Sequence, residues 1–186
     1  MDKKTNSVRI NAGVWRSRVL KFPDADGLRP TPDRVRQTVF NWIGQDLTGL
    51  NCLDLFAGTG VMGFEAASRG AKSVTLVERN RQVFNALKEN QSLLKANNMT
   101  LFNGDAQQFL QTNKQVFDVV FCDPPYAQGL LKTILPALMP HLSPNAYVYA
   151  EAEYSIQPDA LLQVHKHGKA GNVYYHLLKS ANDDES

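Results

Sequence analysis

From residue 49 onward, short apolar runs alternate with stretches of helical periodicity. CLDLF (52–56), SVTLVE (73–78), MTLFN (99–103), VFDVVFC (116–122) and AYVYAEA (146–152) have the length and composition of buried strands. Between them the pattern predicts a helix from the AGTGVMG loop to Arg69 and a long helix over Arg79–Asn97. A short helix follows around Ala106–Leu110, then one near Leu130–His141 that Pro136 bends or breaks. Two more β-rich stretches, Leu161–Lys166 and Val173–Leu178, have no helix between them and predict an antiparallel hairpin at one edge. Strands alternating with helices imply right-handed crossovers. The expected fold is therefore α/β: a doubly wound, mostly parallel seven-stranded sheet with helices on both faces.

The first 48 residues follow a different pattern. Val8–Ile10 and Val19–Phe22 read as short strands around GVWRSR, and PDADGLRP reads as a loop. Thr31 is placed to cap a helix with Pro32 at its first position. Val35, Val39 and Trp42 then fall on one face of that helix, which ends near Gly44. The chain divides into a hairpin and helix (1–48), a main domain (49–180) and a polar tail (181–186).

Charge sharpens that division. Residues 1–36 carry nine Lys and Arg against four Asp, a balance of +5 in a chain whose net charge is +2. A basic arm on a mildly acidic body suits a polyanion, although a solvated surface hairpin has the same charge. At 186 residues the chain is long enough to build a core without staples. No apolar run approaches the roughly 20 residues of a membrane span, and the N-terminus has no apolar signal segment, so a cytoplasmic monomer is expected. Cys52 and Cys122 sit in apolar strand runs and read as buried, reduced thiols; no Cys/His cluster suggests a metal.

Ligands of such sheets bind beyond the carboxyl ends of the strands, where strand order reverses. Asp54, Glu78, Asp105 and Asp123 all fall at or just past strand ends, so four acids converge on one rim. The loop GTGVMG (58–63) matches G-x-G-x-x-G, and Glu78 stands near the spacing of a ribose-binding acid. A nicotinamide dehydrogenase shares those features. Asp54 separates the two readings, because a carboxylate beside the loop opposes a pyrophosphate and favours a cation. S-adenosylmethionine carries a sulfonium and an ammonium. In that reading Asp54 faces its methionine end, Gly58 and Gly60 its nucleoside, Glu78 its ribose and Asp105 its adenine. Asp105, in NGDA, reads equally well as a turn or cap residue.

FCDPPY (121–126) gives the second half of the chemistry. A nucleobase amine is a poor nucleophile because its lone pair is delocalised into the ring. Two acceptors aimed at its N–H bonds, the Asp123 carboxylate and the Pro124 carbonyl, localise that pair. The Pro124–Pro125 pair holds them rigid. Tyr126 stacks on a base drawn out of its helix.

The order DLFAGTGVMGFEAASRGA (54–71), VERN (77–80), NGDA (103–106) and DPPY (123–126) resembles the class I S-adenosylmethionine-dependent methyltransferases of exocyclic amines. RINAGVWRSRVLKFP (9–23) and GLRPTPDRVRQTVFNWI (27–43) are similar to the ribosomal small-subunit methyltransferase D family. The resemblance implies methylation of guanine N2 in 16S ribosomal RNA, on bare RNA or the small subunit. It implies Asp123, Pro124, Pro125 and Tyr126 at the amine, and Asp54, Phe56, Gly58, Gly60, Glu78, Arg79, Asp105 and Ala106 at the cofactor. Arg9, Arg16, Arg18, Arg29, Arg34 and Arg36 would meet RNA. A DNA adenine-N6 methyltransferase would need a sequence-reading domain for which there is no room. A protein glutamine-N5 methyltransferase would favour Asn at position 123, and a silent RNA-binding factor would not need the intact clamp.

Overall fold

The N-terminal strands β1 (Thr5–Arg9) and β2 (Val19–Pro23) pair antiparallel as a separate ribbon, followed by helix α1 (Asp33–Ile43). This is the computed structural model of the chain, describing residues 5–126 and 128–181. Beyond Ala181 the expected tail lies outside the described residues, as do Lys3 and Lys4. The α1 cap differs from expectation: Pro32 is the N-cap and the helix starts at Asp33. Thr31 contributes its carbonyl instead, which accepts Arg36 Nε at 3.0 Å.

The main sheet contains β3 (Asn51–Asp54), β4 (Ser73–Glu78), β5 (Met99–Asn103), β6 (Phe117–Cys122), β7 (Leu142–Ala152), β8 (Leu162–Ala170) and β9 (Val173–Ser180). Its order is β5-β4-β3-β6-β7-β9-β8. The five strands from β3 to β7 run parallel, and β9 inserts antiparallel between β7 and β8, which gives the expected edge hairpin. The chain builds outward from β3 to β5 and then returns to β6 on the other side. The reversal therefore lies between β3 and β6, where Asp54 pairs with Phe121.

Helix α2 (Val61–Ser68) follows β3, and α3 (Arg81–Leu94) follows β4. Asn80 caps α3, its side chain accepting from the Gln82 and Val83 amides, and Lys95 ends it at a φ of +52°. These punctuation residues make it shorter than the periodicity predicts. Helices α4 (Ala106–Thr112) and α5 (Leu131–Leu138) complete the set. Pro136 lies within α5, and the helix gives way to a 3-10 turn at Met139–His141.

The core has two layers. Leu53, Val77, Phe117, Val120 and Val148 pack with α4 and α5 on one face. Val74, Leu76, Val119 and Phe121 pack on the other with α2, α3, α1 and the ribbon residues Ile10 and Leu20. Every residue of α2 is buried, since the sheet covers one side and the N-terminal segment the other. A helix buried on every side is stable only in such a setting.

Burial there strands one charge, Glu65. Its carboxylate accepts Arg36 Nη1 at 3.0 Å and Arg69 Nε at 3.1 Å, and also the Asn11 amide. Arg36 further donates to the carbonyls of Arg9 (2.9 Å) and Thr31 and pairs with Asp33, while Arg69 lies over the Phe40 ring at 4.2 Å. One network thus ties ribbon, α1 and α2 together. Removing one member of a buried ionic network leaves uncompensated charge and costs about 3–5 kcal/mol. Glu65→Ala should lower the unfolding free energy by about that much in urea titration; a loss below about 1 kcal/mol would mean the network is idle.

Candidate active site

The glycine loop leaves β3 at Asp54 and turns through Gly58 (φ +53°) and Gly60 (φ +79°) into α2. A Cβ on Gly60 would lie 2.5 Å from Leu87 Cδ2 of α3, so backbone conformation and space both demand glycine. At Gly63 the constraint is contact: a Cβ there would meet Leu76 Cδ2 of β4 at 2.2 Å. That close approach lets the Gly63 amide donate to Asp54 Oδ2 at 3.1 Å.

Asp54 is 4% exposed. Burial pushes its carboxyl up to about 7; the Gly63 amide pulls it back, and the charge of Glu78 raises it again. Glu78 ends β4, accepting the Gly58 amide at 2.9 Å and the Asn80 amide at 2.8 Å. Glu78 and the glycine turn are thereby one unit. Asp105 is the N-cap of α4, accepting from the Gln108 amide at 2.7 Å through Oδ1. Its side chain is exposed with Oδ2 outside that bond, so the capping role and a place on the rim coexist. Ala106 is buried behind it, Arg79 is exposed, and Phe56 packs partly against the α4–α5 layer.

Asp123 stands just past β6, and the charge of Asp54 acts on it. Asp54 pairs with Phe121, two residues before Asp123, so the two acids sit at the same end of adjacent strands. Burial raises the Asp123 carboxyl well above the usual carboxylate range, reinforced by the charge of Glu151, a hydrogen bond shared with Glu151, and Asp54. Pro124 is buried and Pro125 exposed; Tyr126 is 42% exposed, with its hydroxyl donating to Glu151 Oε2 at 3.4 Å. A half-open ring beside a buried carboxyl is what a stacking platform requires. Such a crowd of acids suits a cationic ligand, and the residues of the loop and rim fit a sulfonium methyl donor.

Sequence reasoning missed Glu151, at the end of β7, and Tyr149, whose hydroxyl donates to Glu151 Oε1. The signal was there: an acid interrupts the apolar strand AYVYAEA at the same rim. It also missed Leu28, whose Cδ1 would sit 3.2 Å from a Cβ on Gly58, so the 24–32 loop leans on the glycine turn. Arg29, the next residue of that loop, is exposed.

Arg9, Arg16, Arg18, Arg29 and Arg34 are exposed. Arg36 is a correction: it is fully buried and committed to Glu65, Asp33 and two carbonyls, and has no surface to offer RNA. Cys52 and Cys122 are free and buried, and burial pushes the Cys52 thiol up to about 12. Among the described residues no cluster suited to a metal occurs and no helix is long and apolar enough to cross a membrane.

Sheet order, glycine turn and acidic rim together define the Rossmann-like class I methyltransferase fold. A protein-family model described as "Conserved hypothetical protein 95" matches residues 8–179. Two relatives named "Ribosomal RNA small subunit methyltransferase D" are from Escherichia coli K12 and Haemophilus influenzae. The first is 39% identical over 98% of this chain and 94% of its own, and the second 44% over 78% and 79%. The chain belongs to the ribosomal RNA small-subunit methyltransferase D family. The solved structure of the Escherichia coli protein yhhF superposes with a TM-score of 0.85 at 39% identity, covering 94% of this chain and 98% of that one. A more distant fold neighbour, 16% identical with a TM-score of 0.67, was solved with S-adenosylhomocysteine; it is covered over 53% of its length and covers 87% of this chain.

Because Asp54 holds its proton more tightly folded than unfolded, its contribution to stability is fully present below the ordinary carboxylate pKa near 4 and is lost as pH rises through about 7. Asp54→Asn keeps the Gly63 acceptor and removes that decline. Its Tm should exceed wild type more at pH 8 than at pH 4 in calorimetric scans, and equal differences at both would show that Asp54 ionises freely.

Proposed function

We propose that the protein transfers a methyl group from S-adenosylmethionine to the exocyclic N2 of a guanine in 16S ribosomal RNA, acting in the cytoplasm as a monomer. The observation that carries this reading is the pairing of a buried acid–glycine loop with a rigid D-P-P-Y clamp across one strand reversal. Family membership supports the RNA substrate, because the relatives' names specify small-subunit ribosomal RNA.

When bound, S-adenosylmethionine supplies an electrophilic methyl group on a positively charged sulfur. Asp54 balances that charge, the Gly58–Gly60 turn admits the nucleoside close to the backbone, and Glu78 accepts its ribose hydroxyls. Asp123 and the Pro124 carbonyl accept the two amine N–H bonds, which bends the nitrogen toward tetrahedral geometry. They do so without rearrangement, since the prolines fix them in advance. Tyr126 stacks on the extruded base, a contribution of about 1–3 kcal/mol. The N–C bond would form as the donor's S–CH3 bond breaks, the electron pair returning to sulfur as a neutral thioether, and Asp123 accepts the proton that the methylated nitrogen sheds. The exposed arginines of the ribbon, the 24–32 loop and α1 hold phosphates, positioning the RNA without reading it.

Labelled cofactor incubated with small subunits or total RNA from a strain lacking the activity should yield N2-methylguanosine after nucleoside digestion. Label in N6-methyladenosine or in protein would reject the assignment. Asp123→Ala should lower kcat about 10²–10³-fold while calorimetry shows cofactor binding intact; loss of both would misplace the clamp. Cofactor affinity should rise with pH through about 7, as Asp54 ionises to meet the cation. Arg34→Ala should flatten the salt dependence of RNA binding by about one unit of slope, whereas an unchanged slope would remove Arg34 from the RNA face.

A further inference from the structure

Parallel pairing sets Phe121 opposite Tyr149 and Cys122 opposite Ala150, which brings Asp123 abreast of Glu151 where β6 and β7 reach the rim. Glu151 is 7% exposed, and among the described residues it has no basic partner. Its carboxyl group is held by two phenols, Tyr149 at Oε1 and Tyr126 at Oε2, and lies close enough to Asp123 to share a hydrogen bond. A buried carboxyl without a cation is costly to maintain. One that touches both the stacking ring and the amine acceptor is placed to meet the substrate.

We propose that Glu151 reads the identity of the target base, accepting the N1–H of guanine while Asp123 accepts the neighbouring N2–H; this rests on the reading of the site as a guanine-N2 methyltransferase. Guanine presents two donors side by side on its Watson–Crick edge, N1–H and N2–H. Adenine presents the N6 donor beside a lone pair on N1. Two acceptors within hydrogen-bonding reach of each other match the first edge and repel the second. The strand register sets the two carboxyls side by side at the rim, and the base brings one N–H donor to each. Sites that hydrogen-bond a substrate group reject analogues lacking it, because their buried polar atoms are left unpaired. An extruded base is read through this same edge. Among the described residues Asp54, Cys122, Tyr126 and Tyr149 are titratable groups that act on the pair; none is a cation that would satisfy Glu151 in the base's stead. The Tyr149 bond orients Glu151 from beneath, and the Tyr126 bond couples recognition to the stacking ring above it.

The test uses small subunits reconstituted from ligated RNA that carries either guanine or 2,6-diaminopurine at the methylated position. Diaminopurine keeps the N2 amine but turns N1 from donor to acceptor. The wild-type protein should prefer guanine by about 10- to 100-fold in kcat/KM. Glu151→Gln, whose amide donates to an N1 acceptor, should lose rate on guanine and narrow that preference to about threefold or invert it, with cofactor affinity unchanged. Wild-type protein that uses both bases equally overturns the assignment without any variant. So does a Glu151→Gln protein that keeps the full preference. If the wild-type protein forms no N2-methylguanosine at all, the underlying reading of the site fails, and this inference with it.

Discussion

Carboxylates crowded into a low-dielectric rim are the constraint around which this molecule is organised. The reversal between β3 and β6 sets Asp54 and Asp123 at the same end of adjacent strands, and the neighbouring strands add Glu78 and Glu151. Burial, and after it the charge of neighbouring acids, raises the carboxyls of Asp54 and Asp123 above their ordinary range. In the proposed function, a positively charged donor and a base rich in N–H groups are the ligands such a rim suits.

A second cluster of buried charge has the opposite purpose. Glu65 and Asp33 together neutralise Arg36 and Arg69, and the bonds of this cluster run to the ribbon, α1 and α2. The N-terminal segment is held to the methyltransferase core by shared burial of Ile10, Leu20, Val39 and Phe40 and by this network. Its anchorage matters for the chemistry, since the 24–32 loop between ribbon and helix leans on Gly58. The glycine turn and the N-terminal segment are thereby held in one frame.

Arg34 and Arg36 show how far a linear reading reaches. Both lie in the first turn of α1, both are arginines, and charge alone assigns them the same role. The helix turns about 100° per residue, so two positions apart they face nearly opposite ways, Arg34 outward and Arg36 into α2. Nothing local to RPTPDRVR announces the buried acid that claims Arg36, because Glu65 is 29 residues away in sequence. Glu151 is the converse case. Its position at a strand end was visible, yet its meaning depends on strand order: β7 had to be the neighbour of β6 for Glu151 to meet Asp123.

Period-two and period-3.6 patterning set the number and order of elements, and the glycines, prolines and acids at strand ends marked the rim, because each of these is a property of short stretches of chain. The positive φ of Gly58 and Gly60 and the stiffness of Pro124–Pro125 belong to that local class. Tertiary structure alone decided which charges are shared, which arginines see solvent, and which tyrosines hold which carboxyl. Those outcomes follow from burial and from distances of a few ångströms between residues remote in sequence, and electrostatic energy in a dry interior varies steeply over such distances.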